Sequence, residues 1–309
     1  MGTPEFAVPA FHAVVGACDV VAVVTRPDQP QGRGRVIAES PVSRAAEQRG
    51  IERLKPEDPG GADLLRELRR LAPDLVAVVA FGAILPRELL AIPLLGSINL
   101  HGSLLPEYRG ASPVQRALWD GRLATGVTTL WMDEGIDTGD VIHQCWEPIR
   151  AEDDAGTLAS RLATLGAPLL AESLLLAARG AAPRRPQNRD AGSYARKLVK
   201  ADGMMRWDRE AESVWNHQRA VTPWPGASTI LRGKPVLVTR TRPLHRLALD
   251  DEPGTILGIE GEGVSVACAP GALLVLALKP EGRAEMSGAD WARGARPEPG
   301  ERFGSEVAV

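Results

Sequence analysis

The 309-residue chain is poor in cysteine: Cys18, Cys145 and Cys268 are far apart and odd in number. That argues against a disulfide framework and against a cysteine-ligated zinc site. No run of eighteen apolar residues occurs, and the N-terminus has no charged-then-apolar leader, so the expectation is a cytoplasmic protein without a membrane partner. No Gly-x-Gly-x-x-Gly element follows a strand pattern, which leaves dinucleotide binding unsupported. The histidines (His12, His101, His143, His217 and His245) show no metal-ligand spacing, and no metal is expected. Lysine is scarce as well. Arginine supplies 31 of the 36 basic residues, which suits phosphate contact and equally follows from genomic base composition.

What is present describes an ordinary globular protein, with 44% hydrophobic and 24% charged residues and a length that suits two domains. The net charge of −3 is unevenly spread. Residues 1–180 carry 17 basic and 23 acidic side chains, residues 181–249 carry 14 and 5, and residues 250–309 carry 5 and 11. The strongly basic middle is where a polyanion would be held, although a solvated charged surface has the same composition.

Up to residue 180, strand and helix patterns alternate. "VVAVVT" (20–25) and Leu75–Ala80 read as strands buried on both faces, and "SINLH", "TGVTTLWMD" and "DVIHQCWEPI" as further strands. Residues 41–49, 62–71, the "PVQRALWDG" segment and 157–179 read as helices. This alternation predicts an α/β fold, a Rossmann-like, mostly parallel sheet with helices on both faces. Residues 181–200 are basic, proline-containing and weakly periodic, which predicts a linker. Beyond them, a helix near 211–220 and five short strands punctuated by glycine and proline predict an OB-like β-barrel over 201–309.

The residues with chemical potential lie at predicted strand ends. In "SINLHGSLLPEYRG" (97–110), period-two alternation points Asn99 and His101 the same way, at the edge where open α/β sheets bind ligands. An amide can donate to a developing oxyanion, and an imidazole can move a proton near neutral pH. "MDEGIDTGD" (132–140) ends the next strand with carboxylates able to orient that imidazole. Each segment alone also describes an ordinary turn with a satisfied histidine.

Together they are specific. "INLHGSLLPEYRGASPVQRALWDG" followed by "MDEGIDTGD" resembles the folate-dependent formyltransferases. "GTPEFAVP", "RPDQPQGRGR", "VVAFGAILP" and "PWPGA" extend the resemblance over nearly the whole chain, toward the branch acting on initiator methionyl-tRNA. The resemblance implies formyl transfer from 10-formyltetrahydrofolate to the methionine amino group on that tRNA, by a monomer, with Asn99, His101 and Asp137 as catalytic residues. It implies a folate pocket at Phe81, Gly82, Ile84 and Leu85 and at Ser103, Leu104, Leu105 and Pro106. No metal is needed in it, because the donor is already activated. Contacts to tRNA are expected from Arg33 and Arg35, in a glycine-flanked loop, and from Arg184, Arg185, Arg189, Lys197 and Lys200 in the basic stretch. The alternatives are a formyltransferase of the same fold acting on an amino-sugar nucleotide, and a catalytically silent RNA-binding protein.

Two departures stand out. Ala284 and Glu285 stand where the family usually carries another basic residue. The family also carries a short apolar strand before "GTPEF", whereas Met1 here directly precedes Gly2. The first strand of a doubly wound sheet is central, so the strands at 20–25 and 75–80 are expected to flank a slot or to re-pair, and the natural chain is expected to begin upstream.

Overall fold

The computed structural model describes residues 1–31, 36–244 and 251–304. The chain forms two compact units, one of Met1–Pro113, Ala124–Pro148 and Ala159–Arg196, the other of Val114–Leu123, Ile149–Leu158 and Lys197–Val309. In chain order as far as Ala195 the elements are α1 (Val8–Ala17), β1 (Val23–Val24), β2 (Gln29–Gln31), β3 (Val36–Ala38), α2 (Pro41–Gln48), β4 (Arg53–Leu54), α3 (Ala62–Leu71), β5 (Leu75–Val79), α4 (Arg87–Leu90), β6 (Gly96–His101), β7 (Arg109–Gly110), α5 (Pro113–Trp119), β8 (Ala124–Trp131), β9 (Val141–Pro148), α6 (Ala155–Ala178) and β10 (Tyr194–Ala195).

In the first unit β5 and β6 pair in parallel, β8 joins β6 antiparallel, and β9 joins β8 antiparallel. A second parallel pair is β1–β4. Local chemistry accounts for the helices around them. The Ser40 hydroxyl caps α2 by accepting from Ser43 N at 3.1 Å, with Pro41 in the first turn. In α3 the leucines at 64, 65 and 68 face the core with Val76, Val78 and Phe81, while its arginines stay outside. Among the described residues α6 is the one helix long and apolar enough to span a bilayer. Within this unit, however, it lies on the sheet: a Cβ on Gly166 would stand 2.8 Å from Leu100, and Ser173 Oγ bonds Thr129 Oγ1 at 2.8 Å.

The predicted strand at 20–25 is reduced to Val23–Val24, and Val21 is 46% exposed. Its pairing to β4 is intact, but the side toward β5 opens on a cavity of about 360 Å³. The walls are Val20–Val24, the 75–77 edge of β5, and apolar side chains of α1, α3 and α6, including Phe11, Leu68 and Leu174. The slot therefore runs through the plane of the sheet, between its two helical layers. Met1 and Gly2 cap one end as two residues of a central strand. Met1 N donates to Ala77 O at 2.5 Å, Val79 N to Met1 O at 2.9 Å, and Gly2 N to Val24 O at 3.1 Å. Burial lowers the Met1 amine from 8.0 to about 5.

Of residues 181–200, expected to be a linker, 181–196 belong to the first unit and are bonded into it. Arg185 exchanges backbone bonds with Val141 at 2.9 and 3.1 Å, and β10 pairs in parallel with β7. Weak periodicity marked this stretch as irregular, but its backbone groups still find partners, as non-helical chain does in two-residue bridges.

The second unit contains α7 (Ala211–Ala220), β11 (Ala227–Leu231), β12 (Lys234–Leu244), β13 (Ile256–Glu260), β14 (Gly263–Ala267), β15 (Ala272–Pro280), β16 (Met286–Ser287) and α8 (Gly288–Ala295). The strand order is β11-β12-β15-β14-β13, with β16 also on β15 and every pairing antiparallel. The expected OB-like barrel is not found: among the described residues no ladder joins the edge strands β11 and β13. Single bridges from Gly304 to Ile230 and from Arg302 to Thr255 touch the two edges. Strand number is legible in sequence, whereas closure depends on shear and tilt, which strand spacing does not encode. The core centres on Phe303, stacked 5.7 Å from Trp207 and 5.3 Å from Trp291.

Candidate active site

The site lies within the first unit. Asn99 and His101 project from the last turns of the β6 pleat, opposite Leu130 and Thr128 of β8. After His101 the chain reverses through "GSLLPEY", and Tyr108, at φ 59, turns its carbonyl back toward the imidazole. His101 Nε2 lies 2.9 Å from that carbonyl oxygen, which can only accept, so Nε2 carries the hydrogen. His101 is buried, and its Nδ1 faces Asp137 Oδ2 at 3.5 Å.

Asp137 sits in the β8–β9 turn at φ 53, a left-handed conformation uncommon for a residue with a side chain. Its carboxylate is held at both oxygens: Oδ1 accepts from Asn99 Nδ2 at 3.1 Å, and Oδ2 from Gly110 N at 2.8 Å. The turn itself is fixed from within, since Asp133 Oδ1 accepts from Gly135 N at 3.0 Å and from Thr138 Oγ1 at 2.7 Å. The three residues singled out in the sequence thus meet in one cluster, an amide and an imidazole on one strand joined through a carboxylate from the next loop.

Sequence reasoning missed what supports the cluster. The Thr128 hydroxyl donates to Ser103 O at 2.7 Å and accepts from Leu105 N at 3.1 Å, tying the 102–108 turn to β8. Tyr108 N donates to Ser193 Oγ, which donates to Glu107 Oε2 at 2.6 Å. Two backbone approaches need glycine: a Cβ on Gly110 (φ +108) would stand 2.7 Å from Ala195 O, and one on Gly192 (φ +97) 2.1 Å from Pro106 O. The Gln187 amide bridges Asp137, Gly139 and Arg109. Proximity to "PEYRG" could have flagged Tyr108 and Gly110, whereas 187–195 was marked only for basic charge, at Arg189, and nothing pointed to Gln187, Gly192 or Ser193.

The remaining predicted residues divide. Phe81 and Leu85, expected in the folate pocket, are instead buried in the core with Leu64, while Gly82 (φ +85) has open space and Ile84 is 74% exposed. Ser103 and Leu105 are buried, and Leu104 and Pro106 are half-buried. Arg184 stacks on Trp131 at 4.1 Å, and Arg185 and Arg189 are exposed. Lys197 and Lys200 are exposed on the second unit. Arg33 and Arg35 lie outside the described residues. Among the described residues no group of three or more His, Cys, Asp and Glu could hold a metal. A separate cavity of about 1070 Å³ in the second unit, lined by Trp119, Trp207, Arg209 and His217 among others, contains none of these residues.

Residues 10–174 match the formyl transferase family, and residues 197–296 match its C-terminal domain. The chain belongs to the formyl transferase family. It is 44% identical to a methionyl-tRNA formyltransferase of Geobacter sulfurreducens, across all of this chain and 97% of the relative. A methionyl-tRNA formyltransferase of Xylella fastidiosa is 43% identical, over 96% of each chain. Among solved structures, an N-formyltransferase of Helicobacter canadensis bound to folinic acid and dTDP-3-aminofucose superposes with a TM-score of 0.66, over 89% of this chain and 96% of that one, at 18% identity. At that identity the likeness establishes the formyl transferase fold alone.

Proposed function

We propose that Asn99, His101 and Asp137 carry out the formyl transfer. The chain is a methionyl-tRNA formyltransferase, which moves a formyl group to the free amino group of methionine on initiator tRNA. The observation that carries the catalytic assignment is the double anchorage of Asp137, to Asn99 on one side and facing His101 on the other.

A folate-type donor supplies an already activated formyl group, and 10-formyltetrahydrofolate is the donor this reading takes. Open space at Gly82 and the exposed Ile84, where β5 ends beside Asn99, suit a flat heterocycle, and the 103–106 turn that follows His101 is the second segment this reading assigns to the donor. As the amine attacks, negative charge develops on the formyl oxygen. The Asn99 amide is placed to stabilise it, and His101 Nδ1, which bears no hydrogen while Nε2–H holds Tyr108 O, or a water takes the amine proton. The resulting imidazolium adds to that stabilisation until the bond from the formyl carbon to the donor nitrogen breaks and that nitrogen takes the proton. Asp137 holds both groups in register. The polyanion is gripped by Arg184, Arg185, Arg189, Lys197 and Lys200, with Arg33 and Arg35 reaching the acceptor end. In this reading 1–180 is the catalytic domain, 201–309 the tRNA-binding domain, and the enzyme acts as a cytoplasmic monomer away from membranes.

The test is formyl transfer measured on charged initiator tRNA, charged elongator tRNA and an amino-sugar nucleotide. Preference for the initiator supports the reading. Faster formylation of the sugar nucleotide would move the enzyme to the other branch, and no transfer to any acceptor would leave an RNA-binding protein.

A further inference from the structure

The half-buried Gln187 lies in a stretch whose composition predicts only a linker, yet all four hydrogen-bonding valences of its amide are used. Nε2 donates to Asp137 O at 2.9 Å and to Gly139 O at 2.7 Å. Oε1 accepts from Arg109 Nε at 3.2 Å and from Arg109 Nη2 at 3.0 Å. The amide has a single workable orientation, because a flip would set its oxygen against two carbonyls and its NH₂ against a guanidinium. Each contact bears on the cluster. Asp137 is the residue held at φ 53, so its carbonyl fixes the direction in which the carboxylate leaves the backbone. Gly139 has no room to slide, since a Cβ there would stand 1.8 Å from Trp131 O. Arg109 precedes Gly110, whose N–H is the second anchor of the Asp137 carboxylate.

We propose that Gln187 is a positioning residue for formyl transfer, its amide clamping the Asp137 turn to the Arg109–Gly110 strand so that the carboxylate stays aimed at Asn99 and His101. The proposal rests on the assignment of those three residues to catalysis. Gln187 itself touches no reacting atom. Its loss frees a left-handed aspartate whose displacement by about 1 Å is enough to cost up to a hundredfold in turnover.

The experiment is a double-mutant cycle on the full chain, with Gln187→Met, Asp137→Asn and the pair, read as kcat and KM on charged initiator tRNA with melting temperature alongside. Gln187→Met should lower kcat by about tenfold or more and leave KM for both substrates within about threefold. In the Asp137→Asn background the same substitution should cost less than about twofold. Gln187→Glu, which keeps the Arg109 pairing and loses the donors to the two carbonyls, should fall as far as Gln187→Met and serves if the methionine variant does not fold. Unchanged kcat overturns the proposal, and so does a kcat loss that persists in full beside Asp137→Asn, which is the mark of a structural role. Wild-type turnover in Asp137→Asn alone would instead overturn the catalytic assignment beneath it.

Discussion

The two flanks of the first unit's sheet differ in kind. From β5 through β9 the ladder is continuous, and the turns that follow β6 and β8 are cross-tied by Thr128, Gly110 and Gln187. On the other side of β5 the plane opens on the slot, and Met1 and Gly2 supply backbone bonds that reach both β1 and β5. Asn99, His101 and Asp137 all belong to the complete flank, so the geometry of the site is set by strands with their partners in place. Stability is exposed to the incomplete one. The alternation of the ladder turns Ala77 N–H and Leu75 C=O into an apolar cavity, where an unmatched polar group costs about 1–3 kcal/mol. Chemistry and stability are therefore separable here by flank.

The strongest test of that separation is on the chemical side. Asn99→Ala, His101→Ala and Asp137→Ala should each lower kcat by about a hundredfold or more, with melting temperatures within about 3 °C of the parent. Comparable losses of stability would mean that the cluster also holds the fold, and near-parental turnover in any one would remove that residue from the chemistry.

The complementary change fills the slot. Joining a five-residue apolar, β-branched segment to Met1 should pair β1 with β5 and raise the melting temperature by about 5 °C or more, with kcat within about twofold. An unchanged melting temperature would show that the slot costs nothing.

A pH series sharpens the same contrast. The Met1 amine is held at about 5 in the fold against an ordinary 8.0, so the unfolded chain binds the extra proton between those values. Its contribution is fully present above pH 8 and is lost as pH falls toward 5, by up to roughly 4 kcal/mol. N-terminal acetylation or the added strand should flatten that slope in thermal melts. A slope that persists after either change belongs to another group.

The smallest effect is expected at Arg184, stacked on Trp131 and 3.9 Å from Asp140. Arg184→Ala should cost about 0.5–1 kcal/mol of stability. It should also reduce the salt slope of tRNA binding by about one. An unchanged slope would place the polyanion elsewhere.

Much of the fold and the chemical core of the site could be read directly from sequence. Periodicity predicted α2, α3, β5, β8, β9 and α6 to within a few residues, because each buries one face or both against a neighbour. Asn99 and His101 were legible because a strand forces alternate side chains to one side; acids and glycines marked the 132–140 turn, and Asp137 within it came from the resemblance to the formyltransferases. Gln187, Ser193 and Gly192 were not. Their importance comes from contacts about fifty to ninety residues away along the chain, and no local pattern encodes that. Val20–Thr25 carried the composition of a buried strand but lacks a partner on one side, so only Val23–Val24 pairs. Sequence pattern reports what a segment prefers, and pairing needs a neighbour.

The close approach of Gly110 to Ala195 and of Gly192 to Pro106 has a consequence for inheritance and for design. Segments 102–112 and 187–195 meet backbone to backbone, and the Asp137 carboxylate and Gln187 amide tie 133–140 to them, so the three behave as one cassette. A recombination point placed between the second and third would pair a turn with a strap shaped for a different turn. The geometry around Asp137 can then be transplanted between such enzymes only when all three segments travel together.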